Sequence, residues 1–333
     1  MKQVKVLVTG VGSTTAISVI KGLRIQDEYE VFIVGTDIND GYTIAGAQFC
    51  DKFFKVPPAS KEREYIKKLM DIIKSESIDL IIPIVDIELE VISRNKEMFE
   101  KYTTVLVSSY ETVLISNDKY KTCKFFLEHN IPTPKTILVK SRIPREILAE
   151  IYEAGISFPV ITKPRKGVSS RGVWEIYNED EIVLINRVKD PIIQEKIFGQ
   201  EYTIDVFSDG KKAIAVVPRK RIETRAGISY KGETEYDESL ISLAKKIVKK
   251  LEIFGPANIQ IIKNEREIKA IEINPRFSGG LPLTIAAGVN TPLLAIKLAM
   301  GETLNPIDKF KKVRMCRYWE EVFFYEGKAI RGI

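Results

Sequence analysis

The sequence predicts an α/β domain with an open, mainly parallel sheet, followed by an α+β region built on antiparallel hairpins. In the first third, short apolar runs alternate with helical patterns, which is typical of a parallel sheet. In the second half, apolar strands meet at tight turns such as Ser208-Asp209-Gly210, which indicates hairpins. The length of 333 residues, 44% of them hydrophobic, is enough for two or three domains.

Composition argues against several classes of protein. No apolar run is long enough to cross a bilayer, and the first five residues lead into a strand pattern rather than a signal peptide. Three widely spaced cysteines and one histidine argue against a disulfide framework, a histidine-rich metal site and a Ser-His-Asp triad. The net charge is +6, and the basic residues are mostly interleaved with acidic ones. We therefore expect a cytoplasmic protein that binds neither nucleic acid nor membrane.

The chain opens with a βαβ pattern. A strand over residues 3–9, the turn Gly10-Val11-Gly12, a helix and a second strand lead to Asp37, as in a dinucleotide-binding fingerprint. The fit is poor because Thr15 replaces the third glycine, although the turn could still offer N–H groups to an anion. After the strand predicted at 78–83 come Asp86 and Glu88, which are candidates either for contacting a second substrate or for capping a helix.

The middle of the chain contains a candidate phosphate loop. A helix is predicted from about 119 to 128, and strands at 135–140 and 158–163 flank a helix over 144–153. The loop 164–173 is rich in Gly, Ser and basic residues, which suits a triphosphate. It is not a Walker A loop, because the pattern predicts a strand where that motif needs a helix. The alternative is a solvated hairpin tip.

The second half has two predicted hairpins. Strands at 201–207 and 213–217 precede a basic loop over 218–229, which could bind a carboxylate or could be an ordinary charged surface. A helix is predicted at 238–251, and strands at 256–263 and 268–274 form the second hairpin. Helices at 281–287 and 291–300 and a short strand pair near 313–325 complete the chain.

The strand Lys269–Arg276 organises these pieces. Strict alternation would put Ala270, Glu272 and Asn274 on one face, and the following proline ends the strand. Hard oxygen ligands of this kind suit Mg²⁺ with substrate phosphates. A half-exposed strand with a polar outer face is the alternative. For Gln260 to share the metals it must lie directly opposite Glu272, which would pair 264 with 268 and place the turn at 265–267.

With these motifs in this order, the chain resembles the ATP-grasp superfamily, and within it a single synthetase unit of the carbamoyl phosphate synthase large subunit. The resemblance rests on residues 158–163 with their glycine-rich loop, on Gln194-Glu195-Lys196 followed by Gly199-Gln200-Glu201-Tyr202, and on 255–260 followed by 272–276. It implies a Rossmann-like preATP-grasp domain over 1–115, a small ATP-grasp subdomain over 116–190 and a large subdomain with the metal site over 191–333.

Carried over residue by residue, the resemblance implies a set of site roles. Lys119 and Lys163 would contact the nucleotide, loop 166–172 would cover its phosphates, 194–197 would hold adenine and Glu201 the ribose. Gln260, Glu272 and Asn274 would bind Mg²⁺, or Mn²⁺ in its place. Arg276 would steady the transferred phosphoryl group, and Arg219, Arg221 and Arg225 would bind the acid or acyl phosphate. The implied nucleotide-binding residues are Lys119, Lys163, Lys166, Gly167, Ser169, Ser170, Gly172, Gln194, Glu195, Lys196, Ile197 and Glu201.

The resemblance implies an ADP-forming ligase that joins a small carboxylate to an amine, with ATP and Mg²⁺ as cofactors and a homodimer as a candidate assembly. Bicarbonate, an amino acid and a sugar acid are all candidates for the acid, the first as in a carbamoyl phosphate synthase-like enzyme. A non-catalytic nucleotide-binding or regulatory protein is the second hypothesis, because Gln260 stands where many relatives have a glutamate. An NAD(P)-dependent oxidoreductase is a distant third.

Overall fold

The structure is a computed structural model that describes residues 1–167, 171–225, 227–325 and 328–330. Ser169 and Ser170 of the predicted phosphate loop lie outside the described residues. No helix in the described part is long and apolar enough to span a membrane.

The first part of the chain forms a five-stranded parallel sheet in the order β3-β2-β1-β4-β5. Its elements are β1 (Lys2–Val8), α1 (Thr14–Arg24), β2 (Tyr29–Asp37), β3 (Lys52–Lys55), α2 (Glu62–Glu76), β4 (Leu80–Ile82), α3 (Asp86–Arg94), α4 (Lys96–Phe99) and β5 (Thr104–Val105), with 3-10 turns at Gly41–Thr43 and Ala45–Phe49. Alternate residues of β1 are buried in two different clusters, Val6 with α1 and Leu7 with α2. Burial on both faces is what a parallel sheet requires, and the α/β prediction is confirmed.

The second part is a four-stranded antiparallel sheet. After α5 (Tyr110–Ser116) and α6 (Lys119–Glu128), the chain forms β6 (Thr136–Leu138), α7 (Pro144–Glu153), β7 (Val160–Pro164), β8 (Trp174–Ile176), a 3-10 segment (Glu179–Arg187) and β9 (Pro191–Glu195). The sheet order is β6-β9-β7-β8, and α7 with the 3-10 segment covers one face. Because β9 is an inner strand here, the predicted division at 190/191 falls just before the strand rather than after the sheet.

The third part is a six-stranded antiparallel sheet in the order β14-β13-β10-β11-β12-β15. Its elements are β10 (Gln200–Asp209), β11 (Ala213–Arg225), β12 (Ile228–Thr234), α8 (Glu238–Leu251), β13 (Phe254–Lys263), β14 (Ile268–Asn274), α9 (Leu281–Ala286), α10 (Thr291–Ala299) and β15 (Arg314–Cys316). Helices α6 and α8 pack on one face of this sheet. The strands β16 (Phe323–Tyr325) and β17 (Lys328–Ile330) pair with each other as a separate hairpin.

Two sequence predictions in this part are wrong. The basic segment 218–229 is not a loop for most of its length, since β11 continues to Arg225 and β12 begins at Ile228. The reason is that Arg219 finds a buried acid on the neighbouring strand, so its charge does not force the chain into solvent. The strands near 313–325 do not pair with each other, because β15 completes the edge of the large sheet beside β12.

The β13–β14 hairpin has the predicted register only near the site. Gln260 lies opposite Glu272, as predicted, and Asn258 lies opposite Asn274. A β-bulge then shifts the pairing by one, so that Ile261 pairs with Ala270 and 264 does not pair with 268. The extra residue reverses the alternation. Ala270 is therefore buried in the core, and the prediction that it shares a face with Glu272 is wrong.

The first and third parts share one hydrophobic core. Val4, Val6 and Val8 of β1 belong to the same cluster as Phe207 of β10 and Leu281 of α9. A buried cluster that draws on residues so far apart in sequence fixes the parallel sheet against the large sheet. The space between the parallel sheet and the large sheet is therefore bounded by elements that are fixed relative to each other.

Candidate functional site

A cavity of about 940 Å³ lies where the three sheets meet. The first sheet contributes the N-terminus of α1 and the segment between β4 and α3, the small sheet contributes β7 and the chain after β9, and the large sheet contributes its polar face. The predicted site residues that line the cavity are Lys119, Lys163, Gly167, Gln194, Glu195, Lys196, Ile197, Glu201, Arg219, Arg221, Gln260, Glu272, Asn274 and Arg276.

The cavity floor is one face of the large sheet, and strand register explains its composition. Glu272 lies opposite Gln260, Gln260 lies opposite Thr203, and Thr203 lies opposite Arg219. Directly paired residues project from the same face of a sheet, so four strands contribute a continuous polar row. The other face carries Ile204, Ile259 and Ile273, which are buried against α6 and α8.

The three candidate metal ligands lie together at one edge of this row. Asn274 Nδ2 is 3.3 Å from Glu272 Oε1 and 3.2 Å from Asn258 Oδ1. With its nitrogen engaged by both neighbours, the amide of Asn274 keeps Oδ1 for another partner. Glu272 is the single carboxylate of the trio. This donor set fits Mg²⁺, which protein sites usually hold through one or two carboxylates together with substrate phosphates.

Lys163 reaches the cavity from β7 and is buried. Its Nζ donates to Gln194 Oε1 at 2.8 Å, and Gln194 Nε2 in turn donates to Thr136 Oγ1 at 2.9 Å. Burial lowers the pKa of Lys163 to about 8, an effect that nearby Glu272 opposes and Lys119 reinforces. A buried cation held by a neutral amide is poorly compensated. The cavity therefore offers positive charge to an anionic ligand at this position.

The candidate phosphate loop is fixed at its start by α6. Asp118 caps α6 by accepting from the N–H of Tyr120 and Lys121, and Arg165 Nε lies 2.8 Å from its carboxylate. Burial alone would raise the pKa of Asp118, but the hydrogen bond and charge of Arg165 and the two backbone N–H bonds together outweigh burial, so the pKa is lowered. Lys119 Nζ donates to the carbonyl oxygen of Gly167 at 2.9 Å.

The described residues of the predicted loop 166–172 are only partly at the cavity. Gly167 and Arg171 line it, whereas Lys166 and Gly172 do not. Lys166 instead lies 3.9 Å from Glu90 of α3.

The segment after β9 lines the cavity with side chains that are tied to their surroundings. Glu195 Oε2 accepts from the backbone N–H of Lys135, and Lys196 forms an ion pair with Glu175. Glu201 lies 3.2 Å from Arg221 and remains half-exposed. These contacts fix the strand edge. The apolar part of the cavity is lined by Ile161, Val173, Ile197, Ile262 and Ile271.

The three arginines predicted to bind the acid have separate environments. Arg219 is fully buried and donates to Asp205 at 2.6 Å and to Ser278 at 2.8 Å. Burial lowers the pKa of Arg221, and Glu201 opposes that effect. Arg225 lies away from the cavity: it pairs with Glu223 and lies over the Tyr230 ring at 3.5 Å. Its position at the outer end of β11 explains why it does not join the other two.

Asp86 and Glu88 also have different positions. Asp86 lines the cavity and makes two bonds to Arg276, a contact that sequence patterns gave no signal for because the residues are 190 apart. Glu88 does not line the cavity, so its prediction as a substrate contact is wrong. It is buried inside the first part and accepts from Thr9 at 2.6 Å. Burial raises the pKa of Glu88 to about 7, against the effect of the bond from Thr9.

The glycine turn does not present Asp37 to a ligand. Gly10 adopts a left-handed conformation with φ of 58°, which brings the turn back over the sheet. The backbone N–H of Gly12 then donates to Asp37 at 2.8 Å, and the carboxylate is buried. An Asp engaged in this way is not available to a ribose, as the NAD(P) hypothesis would need.

Two family models match parts of the sequence. Residues 6–107 match the model described as PylC-like, N-terminal domain, and residues 187–321 match ATP-grasp in the biosynthetic pathway with Ter operon. The chain therefore carries a PylC-like N-terminal domain followed by an ATP-grasp domain.

Individual proteins are similar to this chain in sequence or in fold. The carbamoyl phosphate synthase large chain of Clostridium acetobutylicum is 27% identical over 267 residues, which are 74% of this chain but only 24% of that protein. The biotin carboxylase domain of Hydrogenobacter thermophilus 2-oxoglutarate carboxylase, solved with MgADP and bicarbonate, superposes with a TM-score of 0.75 at 19% identity over 94% of this chain and 74% of that one.

A second solved structure is the L-amino acid ligase of Bacillus licheniformis, with a TM-score of 0.69 and 14% identity over 91% of this chain and 75% of that chain. The two structures establish the fold.

Proposed function

We propose that the protein is an ATP- and Mg²⁺-dependent ligase that joins a carboxylate to an amine through an acyl phosphate. The observation that carries the proposal is the polar row across β14, β13, β10 and β11, which puts oxygen ligands, amides and arginines on one cavity face. Phosphoryl transfer needs positioning and charge neutralisation more than a covalent nucleophile. The named relatives, which include a carbamoyl phosphate synthase and an amino acid ligase, support the same class.

In the proposed arrangement the nucleotide spans the cavity from the small sheet to the large one. The base would lie against the apolar residues near Ile197, and the β- and γ-phosphates would lie near Lys163, Lys119 and the loop after β7. Gln260, Glu272 and Asn274 would hold Mg²⁺ by oxygen atoms. When bound, the ion neutralises negative charge that develops on the transferred group.

The chemistry proposed is two displacements. A carboxylate oxygen of the acid bonds to the γ-phosphorus while the bond from that phosphorus to the β,γ-bridging oxygen breaks, which releases ADP. The amine nitrogen then bonds to the acyl carbon, phosphate leaves, and the nitrogen loses a proton. Arg276 would orient the transferred phosphoryl group, and Arg219 with Arg221 would favour the carboxylate over a neutral analogue.

The test is ADP release across a panel of acids, including bicarbonate, amino acids and sugar acids, each with a panel of amines. We expect ADP only with a matching pair, and we expect Glu272→Gln to reduce the rate at least 100-fold, because the substitution removes the one carboxylate ligand. Glu265→Gln is the control, because Glu265 lies exposed at the turn of the same hairpin. Tight binding of MgATP with no ADP from any pair would refute catalysis.

A second candidate is a non-catalytic nucleotide sensor. It is favoured by Gln260, which leaves Glu272 as the single charged ligand among the three. This candidate predicts that the wild type binds MgATP but releases no ADP with any pair of acid and amine. Substrate-dependent turnover that disappears in Glu272→Gln would exclude it.

A further inference from the structure

The guanidinium of Arg276 is held on three sides. Its Nε lies 2.8 Å from Asp86 Oδ1, its Nη2 lies 2.9 Å from Asp86 Oδ2, and its Nη1 donates to the carbonyl oxygen of Phe277 at 3.0 Å. A guanidinium has five N–H bonds, so two remain, one on each Nη atom at the outer end. Both Arg276 and Asp86 line the cavity, and each side chain is 18% exposed.

The backbone on each side of this pair is also fixed. Asp86 is the first residue of α3, where the helix N-terminus stabilises its negative charge. Its carbonyl oxygen accepts from Asn117 Nδ2 at 3.4 Å, at the junction of α5 and α6. The carbonyl oxygen of Arg276 accepts from Asn258 Nδ2 at 3.1 Å. Because both residues are anchored and two hydrogen bonds join them, the guanidinium of Arg276 is held in one orientation.

We propose that Asp86 is a positioning residue that aims the outer end of Arg276 at the transferred phosphoryl group. The inference rests on the proposed function, since it concerns the arginine at the end of the metal-bearing strand. Asp86 itself touches Arg276 rather than the nucleotide. The parallel-sheet domain thus takes part in phosphoryl transfer through one carboxylate, and a misdirected arginine weakens the contact to the γ-phosphate selectively.

The test compares Asp86→Asn with Asp40→Asn. Asp40 forms an exposed pair with Lys55 at 2.9 Å in the same domain, so the control loses an equivalent charge and ion pair away from the cavity. Calorimetric titration with MgADP and with the Mg²⁺ complex of the triphosphate analogue AMPPNP gives the preference for the third phosphate. We expect wild type and Asp40→Asn to share this preference, and Asp86→Asn to lower it about tenfold while the MgADP affinity changes less than twofold.

A double variant tests whether Asp86 acts through Arg276. In an Arg276→Met background, Asp86→Asn should change the preference no further, because the residue that it orients is already gone. In turnover assays, Asp86→Asn should lower kcat/KM for ATP at least tenfold, and Asp86→Glu should restore part of it.

Three results would overturn the inference alone: equal losses for both nucleotides, additive effects in the double variant, or no difference between Asp86→Asn and Asp40→Asn. Wild-type protein that fails to bind MgADP would overturn the proposed function and this inference with it.

Discussion

Two buried cations line the same cavity and are held in opposite ways. On the large sheet, Arg219 is paired with the carboxylate of Asp205 at 2.6 Å, which Thr284 also contacts. On the small sheet, Lys163 donates to the neutral amide of Gln194. The charge of Arg219 is thus neutralised within the protein, whereas the charge of Lys163 is fully balanced only when an anionic ligand binds. The comparison predicts that Arg219, besides its proposed contact with the acid, contributes to stability, whereas Lys163 contributes to binding alone.

The largest expected effect is on the large sheet. Asp205→Asn leaves Arg219 buried without its carboxylate, and we expect the free energy of unfolding to fall by about 3 kcal/mol. Urea unfolding followed by circular dichroism measures it. The double substitution Asp205→Leu with Arg219→Met should recover most of the loss, because no buried charge is left unpaired. A loss below about 1 kcal/mol for Asp205→Asn would contradict the assignment.

Crowding Arg219 should also destabilise the protein. A Cβ atom at Gly280 would overlap Nη1 of Arg219, which its bonds to Asp205 and Ser278 hold in place. We expect Gly280→Ala to lower the free energy of unfolding by about 2 kcal/mol. Gly167→Ala is the matched control, since a Cβ there meets Pro164 at an ordinary 3.6 Å. Equal stabilities of the two variants would show that the arginine moves freely.

The small sheet should respond in the opposite manner. Lys163→Met removes a buried, poorly compensated charge, so we expect no loss of stability but about 30-fold weaker binding of ADP, as for a lost charged hydrogen bond. Calorimetric titration measures the affinity, and Lys140→Met, an exposed lysine of the same region, controls for net charge. If Lys163→Met unfolded more readily than wild type while binding ADP normally, the comparison would be reversed.

The smallest effect is a pH dependence. The pKa of Lys163 is lowered by burial to about 8, so the free protein loses this charge as the pH rises through that value. An anion binds best to the protonated form, and the affinity for ADP in EDTA should therefore fall up to tenfold for each pH unit above 8. The Lys163→Met protein should show a flat profile between pH 7 and 9. A wild-type profile just as flat would mean that Lys163 carries no titrating charge in this range.

Sequence patterns predicted those parts of the fold that depend on local alternation. The parallel sheet, the hairpins and the pairing of Gln260 with Glu272 follow from periodicity and strand geometry. The patterns failed where a distant partner changes the local preference. Arg219 belongs to a strand because Asp205 neutralises it, and the basic run around it had predicted a loop. Nothing local indicated that Arg276 would meet Asp86 across the cavity.

The bulge in β14 has one more consequence. Strict alternation would hide every second residue of that strand, yet Ile271 and Glu272 are neighbours in the chain and both line the cavity. An aliphatic surface and a carboxylate therefore adjoin without a gap on the wall of the cavity that residues 194–197 and the candidate metal ligands also line. Under the proposed function, one strand would thereby contact both the apolar adenine ring and the charged phosphates of the nucleotide. A single inserted residue therefore gives this part of the cavity wall an apolar surface directly beside a charged one.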